Sequence, residues 1–184
     1  MPTQESDDTQ TPRRPLIDVR RALWLIVPPT LVCLFDIGLT MAGQSEAYWA
    51  GDYSAVEELS PSAAHYLSIH PLYAAGMAAV WIGLFTVVIA LLPEFLALTV
   101  SIAIVIGHLT AATTWLLYRF GSYQGANAVC LLTALVIVLS FKRGQSVDGS
   151  SAIDWRRTGL PEPVRWLTIG LLILLPLWWF LIPR

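Results

Sequence analysis

The sequence predicts an all-α, polytopic transmembrane helix bundle with five spans, at about residues 22–42, 71–92, 95–118, 124–141 and 164–182. Two observations predict it. Of 184 residues, 55% are apolar and only 13% charged, against about 25% charged in a soluble domain. The charge is also unevenly placed. Ala22–Ala42, Pro71–Leu92, Phe95–Tyr118, Asn127–Phe141 and Trp166–Ile182 together hold one acidic residue, one histidine and no lysine or arginine. A helix needs roughly 20 apolar residues to cross a hydrocarbon core of about 30 Å. Three stretches have that length. The last two reach it with flanking residues, where Arg165 can snorkel to the interface. A soluble bundle would show polar stripes at helical period, and Val80–Leu92 and Ile102–Ile106 show none.

Residues 1–15 are polar and proline-containing, and are expected to form a disordered cytoplasmic tail. Residues 16–142 are expected to form a four-helix membrane core. In its first helix, Pro28-Pro29 removes two backbone donors, so the freed carbonyls need partners on neighbouring helices. Arg13, Arg14, Arg20 and Arg21 resemble the basic region of a signal peptide, but Asp36 and Pro28-Pro29 interrupt the apolar run, so a retained helix is expected. The loop 43–69 carries Glu46, Asp52, Glu57 and Glu58 and no lysine or arginine. Its Tyr48, Trp49, Tyr53 and Tyr66 suit a membrane interface, and Ser54–Leu59 is expected as a short surface helix. His70-Pro71 reads as the N-cap and first residue of the second span. Pro93-Glu94 then forms the whole connection to the third. Residues 143–163 are a polar cytoplasmic linker and 164–184 a fifth span ending near Trp178-Trp179.

Basic residues set the orientation. They flank the first helix and fill the stretch from Lys142 to Arg157, while the acidic loop has none. This places the N-terminus in the cytoplasm and the C-terminus outside, in a prokaryotic inner (cytoplasmic) membrane. The net charge of −2, with no basic cluster, gives no footprint for nucleic acid. Cys33 and Cys130 both fall in spans and read as small buried apolar residues. Ala75, Ala79 and Gly83 on the second span, and Ala103, Gly107 and Ala111 on the third, recur four apart. Such faces let helix backbones approach closely, and the short turn predicts that these two meet.

Five residues make the candidate polar site: Asp36, Thr40, Glu58, His70 and His108. Asp36 lies about 9 Å inside the end of its span and His108 about 15 Å inside its own. A charge at the bilayer centre costs at least about 2.5 to 3.5 kcal/mol, so Asp36 is expected to face protein and to have a partner. Glu57, His65, Gln124 and Asn127 fall at the same end. One reading is a transition-metal or acid–base site on Asp36, His70 and His108, with Glu58 as a further candidate; the chain has no H-x-x-x-H or H-E-x-x-H spacing. Another is b-type haem between His70 and His108, although their depths differ by about 15 Å. A third is structural: Asp36 and His108 pair, and the protein is an accessory or interaction subunit of a larger membrane complex, with other membrane subunits or a second copy as partner. Transport of an ion or small solute is a fourth. The segment Asp36-Ile-Gly-Leu-Thr40, followed by Glu58-Leu-Ser-Pro61, resembles the D-x-x-x-T and E-x-N-P pattern of an uncharacterised family of small prokaryotic multi-pass membrane proteins, with Ser60 where that pattern has asparagine. The resemblance implies that Asp36, Thr40, Glu58 and Pro61 belong to one constellation.

Overall fold

The computed structural model describes residues 19–144 and 161–181. The expected 1–15 tail and most of the 143–163 linker lie outside them. Every regular element described is helical: α1 (Val19–Ala42), α2 (Glu46–Trp49), α3 (Pro61–Ile69), α4 (Pro71–Leu91), α5 (Glu94–Thr114), α6 (Tyr123–Gly144) and α7 (Glu162–Leu181). A 3₁₀ turn at Tyr53–Ala55 precedes α3, and a π-helical turn at Trp115–Arg119 extends α5. Four segments are long and apolar enough to cross a membrane: Ala22–Ala42, Pro71–Leu91, Phe95–Arg119 and Tyr123–Arg143. Only 17% to 28% of each is buried within the protein, so their remaining apolar surface must meet lipid or other helices. α7 occupies the position of the fifth predicted span.

α1 is the central helix. It packs most extensively on α5, then on α6 and α4. Pro28 and Pro29 lie inside it and are buried. Proline at 29 leaves the Leu25 carbonyl without its donor four residues on. Ser101 of α5 supplies one: its hydroxyl donates to the Leu25 carbonyl at 2.7 Å. A backbone defect in one helix is thus repaired by a side chain of the next, as hydrocarbon surroundings require.

The two small-residue faces do not meet. Ala75, Ala79, Gly83, Ala103 and Gly107 are exposed, and a methyl group added at Gly83 or Gly107 would touch nothing. α4 turns Phe85, Val88 and Ile89 inward, where they pack with Cys33, Leu92, Ala97 and Ile169 of α7. α5 buries Ala97, Ser101, Val105 and Ala112, the stripe that carries Ser101 to α1. The reason is geometric. Residues 101 and 103 lie about 200° apart on a helix, so turning Ser101 and His108 toward α1 turns Ala103 and Gly107 away. Cys33 is buried as expected, whereas Cys130 is exposed on α6.

Residues 43–69 fold into a cap over one end of the bundle. Tyr48 is fully buried and its hydroxyl donates to the Leu67 carbonyl at 3.1 Å. Burial, with the neighbouring Tyr53 phenol adding to it, pushes the Tyr48 pKa up and keeps the group a donor. The Gln44 side chain bridges to the backbone of Glu57, donating to its carbonyl at 3.1 Å and accepting from its amide at 2.9 Å. The expected helix over Ser54–Leu59 is absent. Asp52 accepts from the Ser54 amide and hydroxyl, a local alternative to helix, and Gln44 holds Glu57 beyond it. The cap helix is instead α3, opened by Pro61 at its first turn.

Replacing Ser101 by alanine leaves the Leu25 carbonyl buried and unpaired. The expected cost is about 1–3 kcal/mol, read as a lower thermal unfolding midpoint in detergent, while Ser140→Ala serves as a control outside this bond.

Candidate functional site

α1 and α5 bring the two ionisable groups of the spans together. His108 Nδ1 and Asp36 Oδ2 are 2.8 Å apart. Asp36 is 8% exposed, and its other oxygen, Oδ1, is buried with no hydrogen-bond partner among the described residues. From α4, the Trp81 indole donates to His108 Nε2 at 3.3 Å. An indole N–H can only donate, so Nε2 carries no proton in this arrangement. The proton of the neutral imidazole is then on Nδ1, which donates to the Asp36 carboxylate. One histidine thereby ties three helices. Cys33, one turn from Asp36 on α1, neighbours the same imidazole from within the apolar cluster.

One turn from Asp36 toward the cap, the Thr40 hydroxyl donates to Glu58 Oε2 at 3.5 Å. Thr99, Thr110, Thr114 and Thr168 instead donate to carbonyls of their own helices. The Thr40 carbonyl accepts from Gln44 at 2.9 Å. Glu58 Oε1 accepts from the Ser60 amide, just ahead of Pro61. Glu57 pairs with Arg119 at 3.0 Å; both side chains are more than two-fifths exposed, so this bond positions the cap on α5 and contributes little energy. Gly43 packs against the Trp115 ring with no room for a Cβ.

Four of the five predicted site residues thus form two linked pairs on one face of α1: Asp36 with His108, and Thr40 with Glu58. His70 stands apart. Its Nδ1 accepts from the Leu72 amide at 3.1 Å, as an N-cap, and its ring packs edge-on to Tyr53. His65 packs on Tyr66, and Gln124 and Asn127 are exposed on α6. Among the described residues, no three His, Cys, Asp or Glu side chains converge where a metal ion could sit. Both ring nitrogens of His108 are engaged, which leaves none for a haem iron opposite His70. The reading of residues along the chain missed Trp81, Gln44 and Ser101. Trp81 had a signal: an indole in mid-span, far from either interface, needs an acceptor for its N–H.

The pair invites a double-mutant cycle. Asp36→Leu or His108→Leu alone strands the other buried partner, at an expected cost of about 3–5 kcal/mol. The double variant should lose less than the sum of the two, and Asp36→Asn, which still accepts from Nδ1, should lose least. Thermal unfolding in detergent reads all four.

No family model, curated protein or solved structure matches this chain.

Proposed function

We propose that this protein is an interaction subunit of a larger membrane assembly, without catalysis of its own. The supporting observation is the pair of small-residue faces left open. Ala75, Ala79 and Gly83 on α4, and Ala103 and Gly107 on α5, are exposed in helices otherwise rich in large aliphatic side chains. Lipid contact does not call for small residues at that spacing, whereas close approach of another transmembrane helix does. The matching occupant is a helix of a second copy or of another membrane subunit, seated by van der Waals packing. The polar groups of the spans support the same reading, because Asp36, His108, Trp81 and Ser101 mainly bond one another or the backbone.

Within this reading, α7 is the fifth span, the N-terminus is cytoplasmic, the cap and C-terminus face outward, and the membrane is the inner membrane of a prokaryote. The basic residues before α1 and after α6 support that orientation. The resemblance to small prokaryotic multi-pass membrane proteins fits this reading, and two of its positions, Thr40 and Glu58, share a hydrogen bond.

Gly83→Leu and Gly107→Leu test the assembly. A Cβ at either position meets nothing in the single chain and both positions are exposed, so stability should hold. Detergent-extracted protein should shift from a larger native species to the single chain in one or both variants. Intramembrane cysteine cross-linking at Ala79 separates self-association from pairing with another subunit. A wild-type protein that extracts only as a single chain, or complexes unaffected by both substitutions, overturns the reading. For orientation, Ser62→Cys in the cap should react with an impermeant maleimide added to intact cells.

A further inference from the structure

We propose that the Asp36–His108 pair is a proton-binding site, filled from the cap side of the membrane, and that the incoming proton is held on Asp36 Oδ1. This is independent of the assembly reading.

Three observations carry it. First, Asp36 Oδ1 is buried and unpaired on a residue only 8% exposed. A carboxylate oxygen accepts hydrogen bonds or binds a proton, and no donor among the described residues reaches it. Second, Trp81 already donates to His108 Nε2. A proton arriving there would set two N–H groups against each other and break the bond to α4. Nδ1 is occupied by its own proton, shared with Oδ2 at 2.8 Å. Oδ1 is the oxygen of the pair that makes no hydrogen bond among the described residues, so a proton binds there without displacing one. Third, with Nε2 accepting from Trp81 the imidazole is neutral, and the pair then carries the carboxylate charge inside the bilayer. Taking up one proton cancels that charge, which is costly in hydrocarbon.

The polar groups nearest the site lie on its cap side. Toward the cap, Thr40 is the next turn of α1, and its hydroxyl reaches Glu58, with the Glu57–Arg119 ion pair alongside. A hydroxyl can accept and donate at once, and Thr40 lies one helical turn from Asp36, so the proposed entry runs from Glu58 past Thr40 to Asp36. In the other direction, Cys33, Phe85, Val88, Ile89, Leu92, Ala97 and Ile169 pack as a continuous apolar cluster. Among the described residues, the ionisable groups around Asp36 are His108 from α5 and Cys33 from α1, with Glu58 bonded to Thr40 one turn away. α4 faces it with Trp81, and the membrane part of α6 has no ionisable residue except the exposed Cys130. The step balances simply. A proton from water at the cap adds to Oδ1, the carboxylate becomes a carboxylic acid, and Oδ2 continues to accept from Nδ1–H; release is the reverse.

The test is infrared difference spectroscopy on sealed proteoliposomes with the cap facing outward, stepping the outside pH. Wild type should show the carbonyl stretch of a protonated, buried carboxylic acid that grows as the outside pH falls. The band should vanish in D36N, an isostere that keeps the acceptor for Nδ1–H. W81F frees Nε2, so the proton should move to the ring and give a ¹⁵N imidazolium signal absent from wild type. T40V should keep the band but slow its response by about tenfold, the effect of roughly 1.4 kcal/mol of added barrier. No buried acid band in wild type, a band that survives in D36N, or a band that follows only the lumenal pH overturns the proposal. An unchanged response in T40V overturns it as well, because entry from the cap is part of it.

Discussion

Helices inside a bilayer gain little from burying apolar side chains against one another, since lipid is equally apolar. Which faces meet is then decided by the few groups that lipid cannot satisfy. In this chain those groups are concentrated on α1: the Leu25 carbonyl left open by Pro29, and the Asp36 carboxyl. α5 answers both, with Ser101 at one level and His108 about seven residues further along the same stripe. These two cross-links fix the rotation of α5 about its axis. Once it is fixed, Val105 and Ala112 are buried and Ala103 and Gly107 face outward. The position of α4 follows through Trp81, which completes the coordination of His108.

The cap depends on the same helix. α1 ends at Ala42, and the next residues turn the chain back over the bundle. Gly43 allows the Trp115 ring to lie against the backbone, and Gln44 clamps Glu57. Tyr48 then acts as the cap's own core, reaching across to α3. The result is a folded polar layer seated directly above Thr40 and, one turn deeper, Asp36. A segment that is only an acidic loop in one dimension is a folded cap in three, with Glu58 bonded to Thr40 of α1.

Much of the candidate site was legible along the chain because rarity is informative in a membrane. A single acid and a single histidine within the spans are hard to explain except as partners, and they are partners. The N-cap at His70 was equally readable, since Pro71 fixes a helix start. The same bond removed His70 from the site, because a capping nitrogen is already occupied. The helix expected over Ser54–Leu59 failed for a local reason, the competing bonds from Asp52 and Gln44. The small-residue faces failed for a non-local one: adjacency in sequence gave the neighbour, but the rotation of each helix was set by a third helix.

The sequence by itself determined the class of the molecule, the extents of four apolar spans and which side chains needed partners, because hydropathy and chain length act residue by residue. Tertiary structure decided which partners were used. That α1 is the hub, that Trp81 fixes the His108 tautomer, that Asp36 keeps one oxygen free, and that the small faces point outward all depend on the relative rotation of packed helices. That rotation is set by a few polar contacts between residues as much as 76 positions apart, and no periodicity along a single helix encodes it.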